Sequence, residues 1–278
     1  MLHRSGSGGP AVVFLPGAGL VGLDYLNMHN RVAELTTTVL YDRAGTGWSE
    51  AAVLPRTAAE VTDELLELLR AADVPGPYLL VGHSLGAAYA RHLAQRFPGE
   101  VAGLLLLDPF HEDLHARVPQ EVRDRLKELE SQERPSPTEE QLRFGRSQMA
   151  PLFASWPETV RDQLIEHHLR VAWRAGLRES ENVYDEVAEE LRRAPALPDL
   201  PLIVITALGR DATQDQLWSE RVLREIHCTT RALHADLASS VPRGEQRILD
   251  DAGHGFLHED RPDAVLQAIA DLLHRVEQ

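Results

Sequence analysis

The chain has 278 residues, with 28 Lys and Arg against 43 Asp and Glu and a formal net charge of -15. That balance argues against a nucleic-acid or anionic-membrane partner, and the length suffices for one large domain or a domain carrying an insertion. The single cysteine, Cys228, cannot form an intrachain disulfide, no apolar run approaches membrane-spanning length, and Met1 to Pro10 lacks the apolar centre of a signal peptide, so a cytoplasmic protein is expected.

At most Leu2 to Ser5 forms an edge strand before Ala11 to Leu15, an unbroken apolar run predicted as a buried strand. This run enters Pro16-Gly17-Ala18-Gly19, a loop that lets backbone N–H groups approach a ligand. A mostly helical stretch from about Asp24 to Leu35 leads to a second strand, Thr38 to Tyr41, which ends in Asp42-Arg43-Ala44-Gly45-Thr46-Gly47-Trp48-Ser49. Thr57 to Glu60 reads as a capping box, and Val61, Leu65, Leu68 and Leu69 then share one helical face. After the breaker Pro75-Gly76-Pro77, Tyr78 to Val81 is a short apolar strand, and Ala87 to Ala94 is helical. Val101 to Leu107 is a further apolar run, ending at Asp108-Pro109. Continuous apolar strands alternating with helices predict a parallel sheet covered on both faces, with functional residues just past the carboxyl ends of the strands.

From about Phe110 to Leu200 no strand is predicted. Val122, Leu126 and Leu129, then Val160, Leu164 and Leu169, then Val183, Val187 and Leu191 recur at helical spacing, with a polar break at Ser131 to Pro137. Residues 110–199 are therefore expected to be a helical cap over the active-site edge, inserted into a core made of 1–109 and 200–278. The sheet resumes at Pro201 to Thr206, followed by Leu208-Gly209-Arg210-Asp211. Helical sequence at Gln214 to Ile226 and Arg231 to Ala238 precedes a last strand, Gln246 to Leu249, the loop Asp251-Ala252-Gly253-His254-Gly255, and an amphipathic helix over Ala264 to Val276.

Between the Tyr78 strand and its helix stands Gly82-His83-Ser84-Leu85-Gly86. A Ser at so tight a strand-to-helix turn is strained and pushed off the sheet, and side chains in place of Gly82 and Gly86 would collide with backbone. The new helix aims the Leu85 N–H at the place where an oxyanion would form. A Ser hydroxyl needs a base, and His254, in a Gly-bounded loop after the last strand, is the best placed; His258 falls where the last helix begins. His111, His115, His167 and His168 lie beside acidic residues and are read as solvated helical faces rather than a metal cluster. The carboxylate that would orient the imidazole is open between Asp211, which is favoured, and Asp108, with Asp215 a third candidate. Asp211 otherwise reads as a helix N-cap and Asp108 as a turn residue before Pro109. Ala18, with Gly19 behind it, is the natural second oxyanion donor.

Taken together, Leu15-Pro16-Gly17-Ala18-Gly19, the stretch Tyr41 to Ser49, Gly82 to Gly86, Leu107-Asp108-Pro109 and Gly253-His254 resemble the α/β-hydrolase superfamily over nearly the full chain. Pro16-Gly17 stands where that family commonly has His-Gly. The resemblance implies the α/β-hydrolase fold, Ser84 as nucleophile, His254 as base, Ala18 and Leu85 as the oxyanion hole, and an acid at Asp211, or at the Asp108 position as in some members. The expected reaction is cleavage of a carboxylic ester, thioester or lactone of a small apolar molecule through an acyl-enzyme, without metal or organic cofactor. Carbon–carbon bond hydrolysis, cofactor-free peroxidation and aminopeptidase chemistry remain open on the same fold, as do a ligand-binding receptor with an idle triad and an acyltransferase. Met149, Phe153, Trp156 and Trp173 in the insertion, with Gly19 and His83 at the centre, are candidate pocket residues.

Overall fold

A computed structural model describes residues 1–131, 135–210, 214 and 217–276. Its strands are β1 (Leu2–Ser5), β2 (Val12–Leu15), β3 (Thr38–Tyr41), β4 (Tyr78–His83), β5 (Val101–Leu107), β6 (Leu202–Ala207) and β7 (Gly244–Leu249). They form one seven-stranded sheet in the order β1-β3-β2-β4-β5-β6-β7. Only the pairing of β1 with β3 is antiparallel. The unbroken apolar strands follow from this topology, because a parallel sheet is covered on both faces.

Alternate side chains feed two cores. Val13, Leu15, Leu80, Leu104, Leu106 and Val204 face one layer, into which α2 (Ala58–Ala71) and α3 (Leu85–Arg96) pack. Val12, Phe14, Leu79, Val81, Leu105, Leu107, Ile203 and Ile205 face the other, closed by α1 (Leu26–Val32) and by α10 (Pro262–Val276), which contributes Val265, Ala268, Ile269 and Leu272. The capping box of α2 is present, with the Glu60 N–H donating to Thr57 Oγ1 and the Thr57 N–H donating to the Glu60 carboxylate.

Between β5 and β6 the described residues are helical, in α4 (Gln120–Ser131), α5 (Glu139–Met149), α6 (Glu158–His167), α7 (Trp173–Ser180) and α8 (Ala188–Arg193), with shorter turns between them. A π-helical turn, His168–Ala172, joins α6 to α7. Between β6 and β7 runs α9 (Glu220–Ala238), one helix where the sequence reads as two. It runs unbroken through Thr229, whose hydroxyl donates back to the Glu225 carbonyl at 2.9 Å. None of the described helices is long and apolar enough to cross a membrane.

The chain past β7 carries a carboxyl in unfavourable surroundings. Glu259 accepts from Asn27 Nδ2 at 3.2 Å, and burial, aided by Asp24 and Asp260 and opposed by that hydrogen bond and Arg31, pushes it up to about 7 from 4.5. The folded state thus keeps a proton that the unfolded chain releases earlier, so this contribution to stability is full below the unfolded value and is lost as pH rises through the folded one. Melting curves of wild type and Glu259→Gln should converge near pH 4.5 and separate by about 2 kcal/mol at pH 8, the variant being the more stable. Parallel profiles across that range would remove Glu259 as the cause.

Candidate active site

Ser84 stands between β4 and α3 with φ 50° and ψ −116°. A non-glycine residue held there is strained, and the surroundings enforce it. A Cβ on Gly86 would lie 2.1 Å from the Leu15 carbonyl oxygen, so α3 can begin against β2 only with glycine at that position. Ser84 Oγ is 3.1 Å from His254 Nε2, and His254 Nδ1 is 2.6 Å from Asp108 Oδ2. Asp108 Oδ1 accepts the Ala207 N–H at 3.0 Å.

These contacts determine where the protons sit. Burial pushes the Asp108 carboxyl up, but the hydrogen bond and charge of His254, with His234 and the Ala207 N–H, outweigh it and hold the group below its ordinary value. An ionised carboxylate can only accept, so His254 carries its proton on Nδ1 and leaves Nε2 to accept from the Ser84 hydroxyl.

Ser84, Asp108 and His254 come from the carboxyl ends of β4, β5 and the loop after β7. Asp108, at φ 41°, donates its own N–H to the Ile205 carbonyl at 2.7 Å, which ties the turn to β6. The His254 loop reaches back over the end of β6, where Gly209 N–H donates to Ala252 O at 2.9 Å. The favoured acid, Asp211, and Asp215 lie outside the described residues; the carboxylate against His254 is Asp108. The sequence offered Asp108 only as the alternative, because an Asp-Pro turn needs no second role.

Two buried histidines that the sequence did not single out for this purpose support the arrangement. His83 Nε2 lies 2.8 Å from the His254 carbonyl and must donate to it, so Nδ1 accepts from the Tyr25 hydroxyl, also at 2.8 Å. Burial, reinforced by His254 and His258, pushes His83 well below its ordinary value and keeps it neutral. His83 thereby anchors the loop that carries His254. On the far side of Asp108, His234 Nε2 donates to the Pro109 carbonyl at 2.9 Å and Nδ1 accepts from the Thr206 hydroxyl at 3.0 Å. Burial likewise lowers its proton affinity, against the pull of Asp108. No spacing in the sequence distinguishes His234 from other histidines on a long helix.

Gly17 closes on the turn at Ser84, and a Cβ there would sit 3.4 Å from Ser84 Cβ. Among the described residues, the Ala18 and Leu85 N–H groups have no acceptor. A cavity of about 200 Å³ opens beside Ser84 and His254, walled by Phe110, Leu114 and Ile226, with His227 and Thr230 from α9.

The residues expected to line a pocket stand elsewhere. Met149, Phe153 and Trp156 pack with Leu164 and Ile165 in a separate apolar cluster, and Trp156 Nε1 donates to the Leu23 carbonyl at 3.1 Å. Trp173 lies under the Arg174 guanidinium, 4.5 Å from it. Gly19 packs against α7 and His83 is buried beneath the turn, so neither is a wall of the cavity beside Ser84. The four histidines of the insertion have different partners, and the rings of His167 and His168 also meet edge to face. The Asp113 N–H donates to His111, His115 lies against Tyr184, His167 stacks on Trp48, and His168 bonds Asp24 at 2.7 Å.

The family model described as the alpha/beta hydrolase family matches residues 12–268. The uncharacterised protein YqjL of Bacillus subtilis (strain 168) is 38% identical over 107 residues, which cover 38% of this chain and 42% of YqjL. The chain spans less than half the length of the curated relatives it matches. Among solved structures, a thermophilic esterase from Thermogutta terrifontis superposes on 100% of this chain and 94% of its own, with a TM-score of 0.63 at 20% identity. An enol-lactonase from Burkholderia xenovorans LB400 does so over 99% and 96%, with a TM-score of 0.64 at 18% identity. At such identities the likeness is one of fold, and it coincides with a sheet whose order and strand directions are described above. A family match that runs from β2 into α10 leads to one conclusion: the chain belongs to the alpha/beta hydrolase family.

Proposed function

We propose that the protein is a serine hydrolase that cleaves an ester-type bond, whether carboxylic ester, thioester or lactone, of a small and largely apolar substrate. The observation that carries this reading is the unbroken hydrogen-bonded line from Ser84 Oγ through His254 to Asp108. In the proposed reaction His254 Nε2 takes the Ser84 proton as Oγ attacks the carbonyl carbon, and the Ala18 and Leu85 N–H groups receive the negative oxygen. The protonated imidazole then gives its proton to the departing alcohol, leaving Ser84 acylated. Water, deprotonated by the same nitrogen, attacks the acyl-enzyme and restores the hydroxyl. Asp108 stays ionised throughout and stabilises the imidazolium.

The helices between β5 and β6, within 110–199, serve in this reading as a cap on a core of 1–109 and 200–278. The cavity of about 200 Å³ is smaller than a drug-sized site, which favours a short acyl or alcohol group. The relatives named above include an esterase and an enol-lactonase, and a pimeloyl-[acyl-carrier protein] methyl ester esterase from Chromobacterium violaceum is 39% identical over 99 residues. In this reading the protein is a cytoplasmic enzyme acting on a small molecule, and its formal net charge of -15 disfavours an anionic polymer as substrate.

Treatment with a fluorophosphonate, followed by intact-mass and peptide mapping, should give a single adduct on Ser84, together with turnover of a chain-length series of nitrophenyl esters. Adduct without turnover would favour a receptor or a specialised transferase. No adduct would leave the Ser84 hydroxyl unactivated and the proposal wrong.

A further inference from the structure

Glu179, on α7 of the insertion, is buried to within 3%. Its two carboxylate oxygens do different things. Oε1 accepts from Arg43 Nε at 2.8 Å and pairs with Nη2 at 2.7 Å, while Oε2 accepts the Gly19 N–H at 3.0 Å. Arg43 is equally buried and donates from Nη1 to the Pro16 carbonyl at 2.5 Å and from Nη2 to the Gly17 carbonyl at 3.0 Å. One ion pair therefore grips the loop after β2 at residues 16, 17 and 19. Within Pro16-Gly17-Ala18-Gly19, Ala18 is the residue that these contacts flank on both sides.

The same helix meets the loop a second time, one turn earlier. A Cβ on Gly176 would lie 2.7 Å from Gly19 Cα and 3.3 Å from the Ala18 carbonyl carbon, so the backbones of α7 and the loop are in direct contact. Gly19 itself has φ 71°, a conformation that glycine adopts readily and other residues rarely. A buried ion pair is weak evidence of stability, since well-packed apolar residues often replace one at no loss. Here both charges are spent on backbone groups of a single loop, which is the signature of positioning.

We infer that Glu179 is a positioning residue for the oxyanion site, holding the Ala18 N–H at its working place through Gly19 and Arg43, so that the insertion supplies part of the catalytic geometry. The inference rests on the serine-hydrolase reading above. It makes α7 a determinant of transition-state binding although none of its residues walls the cavity beside Ser84.

Glu179→Gln is the direct test. The amide nitrogen must face either Arg43 or the Gly19 N–H, so one of the two contacts becomes donor against donor. Expected is a fall in kcat of about 10- to 100-fold, KM within about threefold, and an equal fall in the rate at which a fluorophosphonate modifies Ser84. Gly176→Ala pushes α7 off the loop without touching either charge and should give the same kcat-selective loss. Arg43→Met with Glu179→Met removes both charges together, so no lone buried charge remains, and it takes these partners from the Pro16 and Gly17 carbonyls and the Gly19 N–H; it should show the loss in full. Rates are taken per folded molecule, with melting temperature measured on each variant. Wild-type kcat and phosphonylation rate in whichever of these variants fold would overturn the inference, while a wild-type protein that never forms the Ser84 adduct would instead overturn the hydrolase reading on which it stands.

Discussion

Asp108→Asn is expected to lower kcat for ester hydrolysis by about 10⁴-fold while leaving KM within a few-fold of wild type. The reason is the tautomer of His254. The Ala207 N–H faces Asp108 Oδ1 and His254 Nδ1 faces Oδ2. An asparagine that keeps its oxygen on Ala207 must turn its NH₂ toward Nδ1, which then has to accept. The imidazole proton moves to Nε2, and the atom facing Ser84 Oγ becomes a donor that cannot take the hydroxyl proton. Asp211→Asn, made beside it, is expected to change kcat by no more than about threefold, because Asp108 already faces His254 Nδ1. Steady-state kinetics on a short nitrophenyl ester decide between them. A large loss in the Asp211 variant with little in Asp108→Asn would return the acid to the later position.

Ser84→Ala and His254→Ala are each expected to cost about 10⁶-fold in kcat, and the double variant little more, because the two groups act as a unit. Stability should hardly move. Alanine is subject to the same backbone restriction as serine at φ 50°, so the strain of the turn is kept. His254 is partly exposed, with 40% of its side chain accessible, and removing it leaves no deep cavity. The measurement is residual turnover against melting temperature for the three proteins. Activity retained in either single variant would remove that residue from the role assigned to it, and additive losses would argue that the hydroxyl and imidazole do not work together.

The sheet was legible because burial on both faces leaves continuous apolar runs. Thr38 to Tyr41 and Val101 to Leu107 coincide with β3 and β5, and β7 begins two residues before the predicted Gln246, at Gly244. Ser84 was legible for a related reason, since it sits in glycine-flanked chain at the end of such a run, and His254 was legible from its glycine-bounded loop after the last strand. Asp108 was visible only as an alternative, because its partner is chosen by which strands are neighbours, and sheet order is not written in strand composition. Glu179 left no trace for the same reason. It is one acidic residue among many on an amphipathic helix, and only the docking of α7 on the loop after β2 gives its two oxygens different partners. Phe153 and Trp156 misled because aromatic residues in an insertion read alike whether they line a pocket or, as here, pack against Leu164 and Ile165.

Ser84 and Asp108 belong to one crossover, β4-α3-β5, whereas His254 follows Asp108 after 146 residues. On a growing polypeptide the hydroxyl and the carboxylate can thus be in place while the imidazole is still to be made. Under the proposed mechanism such a nascent chain carries an inert serine, and esters in the cell meet a competent enzyme only after β7 has docked on β6. Completion of the sheet is then also the act that arms it.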